Sequence, residues 1–239
     1  MSYSNNKLKK SIEEKIEHLF KPDDLKVKKK KFDPAFTKVQ NKLRYILHTA
    51  TIMHGQMLEE VYLSVLREAL SDCVIWEEKK FCVSEDAYTI SSRQISADIL
   101  KTSLPYGDCA TINKKEKKNQ VDVIVYHKPT KVISAYEIKR GGSHHDRQKK
   151  EKLVADIIAT KILLKSYAEN IKNLEIKESR AFLVSHYGIN ILTPQWMSLQ
   201  INGKDVNNHF GTNISSKIED AENFWISLFN KNYDALVKK

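Results

Sequence analysis

The stretch that decides the fold is QVDVIVYHKPTKVISAYEIK, residues 120–139. In a strand, Val121, Val123 and Val125 point to one face and Asp122, Ile124 and Tyr126 to the other, and the second run, VISAYEIK, alternates as well. Between the two runs, His127–Lys131 contains a proline and two lysines, which favour a tight turn and cannot continue a central strand. The stretch therefore predicts a β-hairpin whose turn is centred just after Pro129. In that register Tyr126 lies opposite Ile133.

The same register brings two acidic side chains together. Strict alternation places Asp122 on the face opposite to Val121, and the hairpin sets Asp122 across from Glu137. Directly opposed residues have Cβ atoms about 4.5–5.5 Å apart. Two half-buried carboxylates at that separation repel each other unless a cation lies between them. A hard divalent ion such as Mg²⁺ fits this arrangement, and Lys139 is directed to the same place.

An Asp on one strand and Glu-x-Lys on the next resembles the signature of the PD-(D/E)xK nuclease superfamily. The two parts read QVD at 120–122 and EIK at 137–139, without the proline that gives the family its name. The resemblance implies an α/β fold with a restriction-endonuclease-like core, in which helices flank a central mixed β-sheet. It also implies a catalytic set and a Mg²⁺-binding set, namely Asp122, Glu137 and Lys139 for catalysis, and Asp122, Glu137 and the carbonyl of Ile138 for the metal.

Many superfamily members carry a further acid on a helix that precedes the sheet. Residues 38–70 show apolar positions at helical spacing, interrupted at Gly55, so they predict one kinked helix or two helices. Within them LEEVY, residues 58–62, resembles the family's acidic setting. The resemblance implies Glu59 as a third catalytic and metal-binding residue, with Glu60 as the alternative.

The N-terminal part differs in composition from the remainder of the chain. We expect a basic helix and linker over 1–33 and the nuclease domain over 34–239. Ser11 with Glu14 resembles a capping box that opens a short helix. The lysine-rich linker after it is either solvated or an arm that contacts phosphates.

Residues 72–83 are expected to form a strand, and the resemblance implies that this strand pairs with the hairpin. An insertion over 84–119 separates the two. Residues 91–100 alternate as a strand would, and the rest is typical of loops. Asp98 and Asp108 are rival metal ligands in this insertion. Neither lies on a strand that is expected to form a hairpin with Glu137, so Asp122 is preferred.

A formal net charge of +10 favours a polyanionic partner. The resemblance makes that partner double-stranded DNA. We expect His144–Gln148 to lie in the first turn of the helix that follows the hairpin. The candidate DNA-binding residues are the basic and polar ones nearest the hairpin: Lys114, Lys115, Lys117, Lys118, Arg140, His144, His145, Arg147 and Gln148.

These features together favour a Mg²⁺-dependent endonuclease, most like a type II restriction endonuclease acting as a homodimer. The alternatives are a structure-directed or repair nuclease of the same superfamily, and a DNA-binding module without catalysis. Three cysteines without metal-ligand spacing favour a reduced cytoplasmic protein. No apolar run is long enough to cross a bilayer, and no membrane partner is expected.

Overall fold

A computed structural model describes residues 3–21, 33–93, 97–141 and 146–237. The chain divides into two compact units, one formed by Met1–Val65 with Ser216–Lys239 and the other by Leu66–Ser215. The lysine-rich linker lies outside the described residues, so the domain boundary expected near residue 33 stays a prediction.

The chain is α/β. Its helices and strands follow in this order: α1 (Tyr3–Phe20), α2 (Lys38–Ala69), β1 (Cys73–Cys82), α3 (Glu85–Arg93), β2 (Thr111–Ile112), β3 (Lys115–Glu116), β4 (Lys118–His127), β5 (Val132–Lys139), α4 (Arg147–Lys172), β6 (Glu178–Ser185), β7 (Gln200–Asn202), α5 (Val206–Phe210) and α6 (Ser215–Val237). Short 3₁₀ helices cover Ala97–Lys101, Pro194–Leu199 and Gly203–Asp205.

The first unit contains α1, most of α2 and α6. Its interior is made of apolar side chains at helical spacing, as the sequence predicts. Helix α2 continues through Gly55 without a break. Helix α1 begins at Tyr3, so the capping box expected at Ser11 is wrong. Ser11 lies inside the helix, and its hydroxyl donates to the Glu60 carboxylate of α2 at 3.2 Å.

The second unit is built on a five-stranded mixed sheet with the order β1-β4-β5-β6-β7. Strand β4 is antiparallel to β1 and β5, whereas β6 is parallel to both β5 and β7. The predicted hairpin is confirmed, since Tyr126 pairs with Ile133 and Lys131 N–H donates to the His127 carbonyl at 2.9 Å. Strands β5 and β6 pair in parallel, in register from Val132–Glu178 to Lys139–Ser185. Helix α4 connects these two strands and packs on the sheet with a broad apolar face.

A β-bulge interrupts β4 at its acidic residue. Trp76 of β1 pairs with Ile124, but Glu78 pairs with Val121, so β4 has one residue more than β1 in this interval. The strict alternation expected for β4 is therefore wrong at Val121. Its side chain packs in the same core as Ile124. Bulges re-aim side chains, and this one contains Asp122.

The insertion over 84–119 is more ordered than its composition indicates. The strand-like alternation of residues 91–100 is misleading, because the described part ends α3 at Arg93 and enters a 3₁₀ helix at Ala97. Ala87 of α3 is fully buried against the core. Strands β2 and β3 form a small hairpin, which Asn113 and Lys114 close with φ of 50° and 63°. Two consecutive left-handed residues are the requirement of a tight type I′ turn.

The cysteines differ from the expectation of three reduced thiols. Cys82 and Cys109 form a disulfide, and Cys73 is free. The backbone explains their proximity, because Ala110 N–H donates to the Val83 carbonyl at 2.8 Å and thereby holds the two neighbouring residues together. This hydrogen bond joins residue 83, just before the insertion, to residue 110 within it. The composition of the insertion did not predict this contact.

In the described ranges no helix has both the length and the apolar character that crossing a bilayer requires.

Candidate metal and phosphate site

Asp122 is buried next to the backbone of β5. Its carboxylate accepts a hydrogen bond from Ile138 N–H at 2.8 Å and another from the Gln120 side-chain amide at 3.1 Å. Only 4% of the residue is exposed. The ladder between β4 and β5 has its last pair at Val123–Tyr136, so the bond to Ile138 extends the contact of the two strands beyond it. Direct opposition of Asp122 and Glu137 stays a prediction.

Glu137 and Lys139 form an ion pair on β5. The Lys139 ammonium lies 2.5 Å from the Glu137 carboxylate. Residues two apart on a strand share a face, so the spacing of Glu-x-Lys produces this contact directly. The side chains retain 24% and 32% of their accessible surface, respectively. Solvent and small ions therefore reach both groups.

The electrostatics of Glu137 connect it to Asp122. Burial and then the negative charge of Asp122 raise the pKa of Glu137 from its ordinary 4.5 to about 7, although Lys139 acts in the opposite direction. Two carboxylates that share a poorly solvated site cannot both ionise at low cost. Asp122 and Glu137 thus interact across the end of the β4–β5 pair, where one lysine does not compensate both charges.

A third carboxylate, Asp156 of α4, also acts on Glu137. Its charge contributes to the raised pKa of Glu137. Asp156 pairs with Lys117 at 2.8 Å, and both side chains are mostly buried. Asp156 and Glu137 line a small cavity of about 20 Å³ beneath α4. A volume of that size accommodates about one water molecule.

The donor set of this site fits a hard divalent cation. Carboxylate oxygens are the ligands that Mg²⁺ prefers, and an ion there would lower the electrostatic cost of keeping Asp122 and Glu137 ionised together. Within the described ranges no group of three or more His, Cys, Asp or Glu side chains is arranged to hold a metal. The protein ligands would accordingly be the two carboxylates, with Ile138 as the expected carbonyl donor.

The expected third acid lies in the other unit. Glu59 is on α2 and half-buried, and its role as a ligand stays a prediction. Its alternative, Glu60, is engaged in the helical unit, because its carboxylate accepts from Ser11 and pairs with Lys15 at 2.5 Å. The rival Asp98 is exposed and pairs with Lys101 at 2.8 Å.

The basic residues of the insertion divide into engaged and solvent-directed ones. Lys117 is held by Asp156, and Lys118 pairs with Glu116. Lys114 and Lys115 are exposed at the tip of the β2–β3 hairpin. Their predicted contact with DNA stays a prediction.

The candidates after β5 have different surroundings. The Arg140 guanidinium lies over the Tyr187 ring at 5.6 Å. Helix α4 begins at Arg147, so the helix start expected at His144 is wrong. Asp146 is the N-cap, and its carboxylate accepts from Lys149 N–H at 2.8 Å. Arg147 pairs with Glu151 at 2.7 Å, and Gln148 is exposed. His144 and His145 lie outside the described residues.

Two residues of the site were missed in the sequence. Gln120 precedes Asp122 by two residues on the same strand, and this spacing allows its amide to reach that carboxylate. Asp156 lies among the buried apolar residues Val154 and Ile157 of α4. An acidic residue next to the apolar stripe of a helix is the only feature of the sequence that indicates a partly buried position for Asp156. The bulge that orients Asp122 has no such signal in the hairpin sequence alone.

Comparisons of the chain with models of protein families, with curated proteins and with solved structures gave no match. The chemistry of the site is therefore argued from its own residues.

Proposed function

We propose that the protein is a Mg²⁺-dependent endonuclease with a PD-(D/E)xK, restriction-endonuclease-like core, which hydrolyses phosphodiester bonds of double-stranded DNA. Two forms of this activity are candidates: a type II restriction endonuclease that acts as a homodimer, and a structure-directed nuclease, which a groove lined by Lys115 and Lys152 favours. The observation that carries the proposal is the Glu137–Lys139 ion pair, with the Glu137 carboxyl under the influence of the buried Asp122.

The sheet supports the same proposal. The hairpin β4–β5 contains the Asp and the Glu-x-Lys, and β1 pairs with it, as the resemblance implies. Helix α4 then returns the chain to the parallel strand β6. The site lies towards the end of β5, where solvent reaches Glu137 and Lys139.

Each residue has a chemical role in this proposal. Asp122 and Glu137 would hold the cation, and the hydrogen bonds from Gln120 and Ile138 fix the Asp122 carboxylate in place. Mg²⁺ would supply positive charge beside the scissile phosphate and thereby stabilise the charge that develops during hydrolysis. Lys139 binds a phosphate oxygen or orients the attacking water, because its ammonium already lies beside Glu137.

Cleavage of supercoiled plasmid DNA in the presence of Mg²⁺ tests the proposal. Asp122→Asn, Glu137→Gln and Lys139→Met each change a charge with little change of size. We expect each to lower the cleavage rate about 100-fold or more, the usual cost of removing a group that stabilises transition-state charge.

The matched controls are Lys131→Met and Glu175→Gln, which remove the other Lys–Glu pair of the β5 region, at the start of that strand. The controls should cleave as the wild type does. Equal cleavage by the wild type and all three site variants would overturn the assignment. Discrete plasmid fragments support the restriction form, whereas cleavage confined to branched or unpaired DNA supports a structure-directed nuclease.

A further inference from the structure

A groove of about 470 Å³ lies beside the candidate site in the second unit. Residues of α3, of the β2–β3 hairpin and of α4 form its walls. Concave sites of about 300–1,000 Å³ accommodate small organic ligands, a size class that includes a nucleotide. A volume of this size holds a nucleotide of an unpaired strand but not a double helix.

The hairpin wall is firmly attached to the sheet. Lys117 N–H donates to the Ala110 carbonyl at 2.7 Å, and Val83 N–H donates to the Lys117 carbonyl at 3.0 Å. The disulfide between Cys82 and Cys109 adds a covalent link at the same place. The groove is therefore preformed, which reduces the entropy that binding has to overcome.

The acids that line the groove are compensated by basic residues. These acids are Glu116, Glu151 and Asp156. Each has a basic partner, namely Lys118, Arg147 and Lys117 respectively.

Two further lysines line the groove, Lys115 and Lys152. Both are exposed, and neither forms an ion pair with any residue that the structure describes. These two ammonium groups are available to phosphates. Tyr88 also lines the groove, packed against the core on one side, and supplies an aromatic surface for a base.

The groove connects to Glu137 through one residue. Asp156 lines both the groove and the small cavity that Glu137 lines. A strand that follows the groove therefore approaches the candidate site at Asp156 and Lys117.

We propose that the groove binds an unpaired stretch of the substrate strand next to the scissile phosphate. This inference rests on the proposed nuclease function and names its substrate class, DNA that has a single-stranded segment beside the cleaved bond. It favours the structure-directed form of the enzyme over the restriction form.

Binding of fluorescent DNA in EDTA tests the inference without requiring cleavage. The probes are a blunt duplex and the same duplex with a short single-stranded tail. The wild type should bind the tailed duplex about tenfold more tightly, the scale of one stacked base and its phosphate contacts. Ser92→Trp places a large side chain on an exposed groove position without a change of charge, and it should abolish the preference for the tail. Asn170→Trp, on the exposed side of α4, is its control.

A charge variant tests the same groove independently. Lys115→Met with Lys152→Met should weaken binding of the tailed probe. It should also reduce the slope of log K against log salt concentration by about 1.4, the value for two phosphates of a single strand. Lys128→Met with Lys177→Met removes the same charge from exposed positions outside the groove and should leave the preference for the tail intact.

The outcomes separate the two proposals. Equal affinity of the wild type for both probes, or a tail preference that survives Ser92→Trp, overturns the groove proposal even if plasmid cleavage requires Glu137. A tail preference lost in Ser92→Trp, with no cleavage of any DNA, supports the groove and rejects the nuclease.

Discussion

Replacing the Glu137 carboxyl by an amide should stabilise the protein at alkaline pH and have little effect in acid. Burial and Asp122 raise the pKa of Glu137 from 4.5 to about 7. A group whose pKa is raised on folding binds its proton more tightly in the folded state. The contribution of the Glu137 carboxyl to the free energy of unfolding is complete below the pKa of the unfolded state, near 4.5. It is lost as the pH rises through the pKa of the folded state, about 7.

The magnitude follows from the two pKa values. One pKa unit corresponds to about 1.4 kcal/mol, so the difference between 4.5 and about 7 amounts to about 3 kcal/mol in total. Between pH 5 and pH 8 the wild type should lose most of that contribution, on the order of 2–3 kcal/mol. Glu137→Gln does not titrate, so its stability relative to the wild type should increase by the same amount over this range.

Urea unfolding at both pH values, without divalent cations, measures the difference directly. Glu169→Gln is the control, since Glu169 is an exposed residue of α4 paired with Lys165. This control should change the free energy of unfolding by no more than about 0.5 kcal/mol at either pH. If Glu137→Gln differs from the wild type by the same amount at pH 5 and pH 8, the Glu137 carboxyl is not held in the environment described, and the reasoning fails.

Two further predictions concern charges and covalent structure. Asp122→Asn should lower the pKa of Glu137 and Lys139→Met should raise it, because each variant removes a charge that acts on Glu137. Urea unfolding of each variant at a series of pH values measures these shifts. Shifts of both variants in the same direction would contradict the account. Cys82→Ser with Cys109→Ser should lower the stability of the oxidised protein by about 3.5 kcal/mol, from the closure entropy of a loop of 27 residues. A reducing agent should have the same effect on the wild type and none on the variant, and a wild type insensitive to reduction would show that the two thiols are not joined.

The hairpin was predictable because its signals are local. The turn residues around Pro129 fix the register of β4 and β5, and the spacing of Glu137 and Lys139 places both on one face. Helix α4 was predictable from its apolar period, which depends only on residues close in sequence.

The remaining features depend on partners distant in sequence. The bulge at Asp122 results from pairing with β1, and the hairpin sequence contains no mark of it. Ser11 resembled a helix cap by its spacing to Glu14, yet its hydroxyl contacts Glu60, which only tertiary packing brings near. The sequence of the insertion is typical of a loop because its short strands are stabilised by backbone hydrogen bonds among Val83, Ala110 and Lys117 and not by a high strand propensity of their own.

The central claim is that Asp122 and Glu137 together hold a divalent cation. The most direct measurement is a pH titration of the Glu137 carboxyl carbon by NMR, with and without Mg²⁺. The account predicts a midpoint near pH 7 without the metal and a decrease of about one pH unit or more at saturating Mg²⁺, because the ion stabilises the carboxylate. A midpoint that does not change with Mg²⁺ would contradict the claim.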